Sequence, residues 1–123
     1  LVEYNIKTIV VGGLLDHNYG ITYGPEVFED IDRMNFTTCI IGASGVSDTG
    51  ISSFDRDVSI INHRIIQRSK KRILIVDSTK FSASSHFVFA QSKDFDSIIT
   101  TAQADVKLKQ TSNIVIADPF DVR

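Results

Sequence analysis

Arg72-Ile73-Leu74-Ile75-Val76-Asp77-Ser78-Thr79-Lys80 is the stretch that decides the fold. Four consecutive aliphatic residues, three of them β-branched, run straight into a polar tetrapeptide. A short apolar run with no polar alternation suits a strand buried on both faces, as in a parallel sheet covered by helices. Asp77, Ser78 and Thr79 then provide the turn chemistry that ends it. Similar runs recur on both sides. Thr37-Thr38-Cys39-Ile40-Ile41 stops at Gly42, and Ile6-Lys7-Thr8-Ile9-Val10-Val11 stops at Gly12-Gly13. Asp96-Ser97-Ile98-Ile99-Thr100 and Asn113-Ile114-Val115-Ile116-Ala117 follow. Five strands are therefore expected.

Helical periodicity fills the gaps. Gly24-Pro25 opens a segment with Val27, Phe28, Ile31 and Met34 at helical spacing, and Pro25 suits the first helical position. Asp55 to Ser69 repeats the pattern through Val58, Ile61, Ile65 and Ile66. Ser84 to Ala90 is expected as a short helix and Ala104 to Lys109 as a helical turn. Gly42 to Ser53 is expected as a glycine-bearing loop. Lys70-Lys71-Arg72 is expected to end the second helix, where cations complement the dipole. Strands alternating with helices give a three-layer α/β/α fold with a predominantly parallel sheet.

Composition sets the outer bounds. The chain has 123 residues, a length suited to one domain. Its 15 acidic and 13 basic side chains leave a net charge of -2, which excludes a general binder of nucleic-acid backbone. One cysteine, Cys39, excludes an internal disulfide framework, and its place in an apolar strand marks it as inert core. No apolar run approaches membrane-spanning length, and no signal segment opens the chain. The start without Met reads as a fragment or a processed product.

In open α/β sheets, ligands bind beyond the carboxyl ends of the strands. Gly12 and Gly13 allow close backbone approach there, and Gly42 and Gly45 do the same in the next loop. The glycine spacing matches neither the dinucleotide fingerprint nor the P-loop, so nucleotide binding of either kind is not expected. Asp77 and Lys80, three residues apart past a buried strand, can face one ligand. The carboxylate accepts from hydroxyls and the ammonium meets an anion. His17, just after Gly12-Gly13, is a further candidate. The three histidines show no metal spacing, and no nucleophile elbow is present, so neither a metal nor a catalytic triad is expected. No cofactor is expected either.

These landmarks, in this order, resemble the C-terminal effector domain of DeoR-family bacterial transcription regulators. The resemblance rests on Val10-Val11-Gly12-Gly13, Gly24-Pro25, and Ile40-Ile41-Gly42-Ala43-Ser44-Gly45 with Gly50. It continues through Ile75-Val76-Asp77-Ser78-Thr79-Lys80-Phe81 and Phe95-Asp96-Ser97-Ile98-Ile99-Thr100. It implies a fold related to ribose-5-phosphate isomerase A and glucosamine-6-phosphate deaminase, the NagB/RpiA/CoA-transferase-like class. It implies a cytoplasmic sensor of a phosphorylated sugar, assembled as a homodimer or homotetramer. DNA would be bound only through a separate N-terminal helix-turn-helix domain, with no contact to membranes. Gly12, Gly13, Asp77 and Lys80 align with pocket-lining positions of the family. Residues 1–123 would form a single effector domain without that DNA-binding domain and without the first strand and its phosphate loop. Val11 stands where relatives often carry Thr.

An isomerase of this fold is the rival. It needs a carboxylate to move a proton between adjacent carbons. The isomerases follow their Gly-Ala pair with acidic residues, whereas Gly42-Ala43 is followed by Ser44 and Gly45. A sensor is therefore favoured over an enzyme, and over a domain that only oligomerises.

Overall fold

The computed structural model describes residues 2–101 and 113–117. Its centre is a four-stranded parallel sheet made of β3 (Phe36–Ile41), β6 (Ser69–Ile75), β8 (Ser97–Thr101) and β9 (Ile114–Ala117), in the order β3-β6-β8-β9. Ile41 pairs with Leu74, Leu74 with Ile98, and Ile98 with Ile114. One side chain from each strand thus forms a single row across the inner face. Four of the five expected strands are these four. The fold is mixed α/β on a parallel sheet, as expected.

The inner face is covered by one helix and a small second sheet, and a second helix packs on the first. α1 (Pro25–Arg33) begins with Pro25 in its first turn, preceded by Gly24 at φ 112°, a backbone state that a side chain would strain. It buries Val27 and Ile31. α2 (Arg56–Gln67) is capped by Asp55, whose carboxylate accepts from the Val58 N–H at 2.9 Å. Its inward residue Ile66 joins Cys39, Ile41, Leu74, Phe89 and Ile98 in the main core. The second sheet is antiparallel, in the order β4-β5-β7, with β4 (Gly45–Ser47), β5 (Gly50–Ser53) and β7 (Phe87–Ala90). Val46 and Ile51 are its fully buried contributions. A separate hairpin joins β1 (Leu14–Asp16) to β2 (Ile21–Tyr23).

The steps from β3 to β6 and from β6 to β8 run in the same direction across the sheet. Right-handed crossovers stepping the same way lie on the same face. Among the described residues, the opposite face is left open. It presents Ile40, Ile75 and Val115 at 65%, 47% and 49% exposure, with Ile73 and Ile99 between them.

Several local expectations are corrected. Ile6 to Val11 is not a strand. β-branched residues favour a strand only where a ladder partner exists, and this run has none among the described residues. Ile6, Ile9 and Val10 are exposed, and the Val11 carbonyl accepts from the Thr22 hydroxyl at 2.8 Å. The loop expected from Gly42 to Ser53 contains the β4–β5 hairpin. Two of its glycines serve packing: a Cβ on Gly45 would lie 2.5 Å from the Ala83 carbonyl oxygen, and one on Gly50 2.7 Å from Val88 Cγ1. The segment Ser84 to Ala90, expected as a helix, instead ends in strand β7, because Phe87, Val88 and Ala90 pair with Ser53, Ser52 and Ile51 of β5, with a bulge at Ile51/Ser52. Lys70, Lys71 and Arg72 lie in β6, three residues after α2 has ended. The turn expected at 104–109 lies outside the described residues. Cys39 is buried, as expected of core.

Candidate functional site

All four strands of the parallel sheet end on one edge. At that edge β3 gives way to Gly42, β6 to Val76-Asp77, and β8 ends at Thr101. A cavity of about 340 Å³ opens there, between the end of β3, the end of β5 and the first turns of α2. Gly42, Ala43 and Ser44 form one wall. Ser53, Phe54 and Asp55 form the second, Val58 and Asn62 of α2 the third, and Tyr19 and Ile21 reach in from the β1–β2 hairpin.

The strand-to-helix junction explains this wall. The Ser44 N–H donates to the Ser52 carbonyl at 2.9 Å, which holds the β3 exit against β5. The Asp55 N–H donates to the Ser53 hydroxyl at 3.2 Å, turning the chain into α2. Among the described residues Asp55 is the one charged side chain lining the cavity, and one oxygen of its carboxylate accepts from the Val58 N–H. The polar groups that line the cavity are the hydroxyls of Ser44, Tyr19 and Ser53, the last already accepting from the Asp55 N–H, the amide of Asn62 and the second carboxylate oxygen of Asp55. Such a lining, mostly apolar with a few hydrogen-bonding groups, suits an uncharged moiety that carries both C–H surface and hydroxyls. Tyr19 and Phe54 touch at the mouth, with ring centroids 5.4 Å apart and planes tilted by 50°.

The expected site residues divide into three groups. Gly42 lines the cavity. Asp77 and Lys80 stand on the same sheet edge, one strand over, without lining the cavity. Asp77 caps the short turn Ser78–Lys80, accepting from the Thr79 hydroxyl and from the Thr79 N–H at 2.8 Å. These bonds hold its carboxyl below the usual carboxylate range, with the Lys80 ammonium a smaller contribution. The Ser78 N–H donates to the Thr101 hydroxyl at 3.1 Å, which ties the ends of β6 and β8 together. Lys80 is half-buried and Asp77 exposed.

Gly12, Gly13, His17 and Gly45 lie away from the cavity lining. Gly13 is packed: a Cβ there would approach the Tyr23 carbonyl oxygen to 2.6 Å and Val27 Cγ2 to 2.7 Å. Gly12 has open space around it. His17 is exposed in the β1–β2 turn, two residues before Tyr19. Gly45 is buried in β4. No cluster of three or more metal-ligating side chains occurs among the described residues.

Tyr19, Ile21, Phe54, Asp55, Val58 and Asn62 line the cavity without having been singled out from sequence. One signal was available for part of them. Asp55 just before a helical apolar pattern is an N-cap signature, and a helix start after a strand end is where α/β ligands sit. Nothing in the sequence marks Tyr19, which arrives from a hairpin that the glycine and polar residues around it conceal.

Comparison with known proteins adds to this geometry. The family model described as the DeoR C terminal sensor domain matches residues 1–102. The HTH-type transcriptional repressor GlcR of Bacillus subtilis is 26% identical over 95 residues, covering 77% of this chain and 37% of that protein. The L-fucose operon activator of Haemophilus influenzae is 25% identical over 97 residues, covering 78% of this chain and 39% of that protein. The glycerol-3-phosphate regulon repressor of Escherichia coli is 26% identical over 111 residues, covering 89% of this chain and 44% of that protein. The chain spans about two fifths of the length of these relatives.

Proposed function

The chain belongs to the family of DeoR C-terminal sensor domains, and on that premise we propose that it senses a phosphorylated sugar for a bacterial regulator of sugar metabolism. The family is one of regulators and not of enzymes. The observation that carries the proposal is the cavity at the carboxyl edge of the sheet, where Gly42, Ser44, Ser53 and Asn62 meet. The sugar's hydroxyls would occupy this cavity. Its phosphate would extend along the edge toward Asp77 and Lys80, where Lys80 supplies the positive charge. Gly12, Gly13, Gly45 and His17 would act on the site indirectly, through the packing and placement of the hairpin and of β4.

An isomerase would need a free carboxylate beside the substrate. The carboxylate in the cavity, Asp55, is instead held by capping α2, which supports sensing over turnover. The domain would act as an intracellular homodimer or homotetramer, and DNA would be bound by a separate N-terminal helix-turn-helix domain. Ligand binding shifts such an assembly only by the difference in its affinity for two states.

Thermal unfolding of the chain with a panel of sugar phosphates tests this. Unphosphorylated sugars and inorganic phosphate serve as controls. A ligand at about 100 times its dissociation constant adds about 2.7 kcal/mol, a melting rise on the order of 10 °C for a domain of this size. A selective rise with one sugar phosphate is expected. Equal response to inorganic phosphate, or no response to any sugar phosphate, would overturn the proposal.

A further inference from the structure

Tyr19 and Phe54 are large aromatic side chains at 58% and 48% exposure, in contact with each other and both lining the same cavity. They come from different elements, Tyr19 from the β1–β2 turn and Phe54 from the junction between β5 and α2. Neither is needed by the main core, which is closed by Ile41, Ile66, Leu74 and Ile98. Two exposed rings in contact, tilted by 50° to each other, add an angled apolar wall to a mostly apolar cavity that carries a few hydroxyls. A molecule with hydroxyls on its rim and a flat face of C–H groups matches both parts. The hydroxyls meet Ser44, Ser53 and Asn62, and the C–H face lies on one ring with its edge against the other, removing apolar area from water on both sides.

We propose that Tyr19 and Phe54 form an aromatic platform that selects cyclic sugar phosphates over acyclic polyol phosphates. The proposal rests on the sensing function above and adds its specificity. An acyclic polyol offers no preformed flat face, and must also lose torsional freedom to lie against the rings. The phenol hydroxyl of Tyr19 is not required for this role, because the ring supplies the contact.

The test uses isothermal titration of the 123-residue chain. The probes are glucose 6-phosphate, fructose 6-phosphate, galactose 6-phosphate and ribose 5-phosphate, with glycerol 3-phosphate as the acyclic comparator and inorganic phosphate as the anion control. The wild-type chain should bind its preferred cyclic phosphate at least tenfold more tightly than glycerol 3-phosphate. Tyr19→Ala and Phe54→Ala should each weaken cyclic binding about tenfold and leave glycerol 3-phosphate affinity unchanged. Tyr19→Phe should keep the wild-type preference. Both sites are exposed, so the far-UV spectra should match wild type. Strong cyclic binding that is indifferent to both alanine variants would overturn the platform and leave sensing standing. Wild-type preference for glycerol 3-phosphate would also overturn the platform alone. Absence of binding to any sugar phosphate would overturn both.

Discussion

Replacing Gly45 by alanine separates packing from ligand binding at a glycine that the sequence marked as a ligand contact. Gly45 is buried in β4, where an added Cβ would lie 2.5 Å from the Ala83 carbonyl oxygen and 2.9 Å from its carbon. Both are backbone atoms and cannot swing aside. The third close atom, Ser52 Oγ at 3.0 Å, is held by the Ser85 N–H at 2.9 Å. Relief therefore requires the 82–85 segment to move away from the second sheet. Overpacking of this kind costs about 1–3 kcal/mol. In a small domain each kcal/mol lowers the melting point by roughly 4–8 °C. Gly12 is the internal control, since a Cβ there meets nothing within 4 Å. Gly12→Ala should stay within about 0.5 kcal/mol of wild type. Urea unfolding followed by far-UV circular dichroism measures both. Wild-type stability in Gly45→Ala, or equal destabilisation in Gly12→Ala, would refute the steric argument.

Three further outcomes are expected. Asp55→Ala removes the α2 cap and should cost about 1 kcal/mol, read as a lower urea midpoint at unchanged slope; an unchanged midpoint would show that the cap contributes nothing. Ser52→Ala leaves the half-buried Ser85 N–H without its acceptor and should cost about 0.5–1.5 kcal/mol, whereas Ser52→Thr tests whether any hydroxyl suffices in that space. Asp77 has a folded pKa below its unfolded value. Its contribution to stability is thus present above the unfolded carboxylate range and is lost as pH falls through the folded pKa. Asp77→Asn should lower stability slightly at neutral pH, leave the acid end unchanged and so flatten the acid limb, and an acid limb identical to wild type would contradict the hydrogen-bonded carboxylate.

The parallel sheet was legible because its strands carry the signal in their own residues. Ile73 to Ile75 and Ile98-Ile99 are continuous apolar runs, and each lies in the sheet where the pattern places it. Both long helices were legible from 3.6-residue spacing, with Pro25 and Asp55 marking their starts. What the sequence concealed depends on partners. Ile6 to Val11 has the composition of a strand but no neighbour to pair with. Phe87 to Ala90 pairs with β5 across a gap of more than thirty residues, a contact no local pattern reveals. The site was half legible for the same reason. Strand-end positions such as Gly42 and Asp77 follow from the sheet alone. Tyr19, Phe54 and Asn62 reach the cavity only because a hairpin, a junction and a helix converge there. Gly45 looked like a ligand loop because close approach to a ligand and close approach to Ala83 place the same demand on a residue.

The most direct test of the sensing claim is a titration of the isotope-labelled chain, followed by amide chemical shifts, with the sugar phosphate that raises its melting point. The account expects the largest shifts at Gly42 to Ser44, Ser53 to Asp55 and the first turns of α2, with a second group at Ser78 to Lys80. Shifts confined to other regions, or none at saturating ligand, would contradict it.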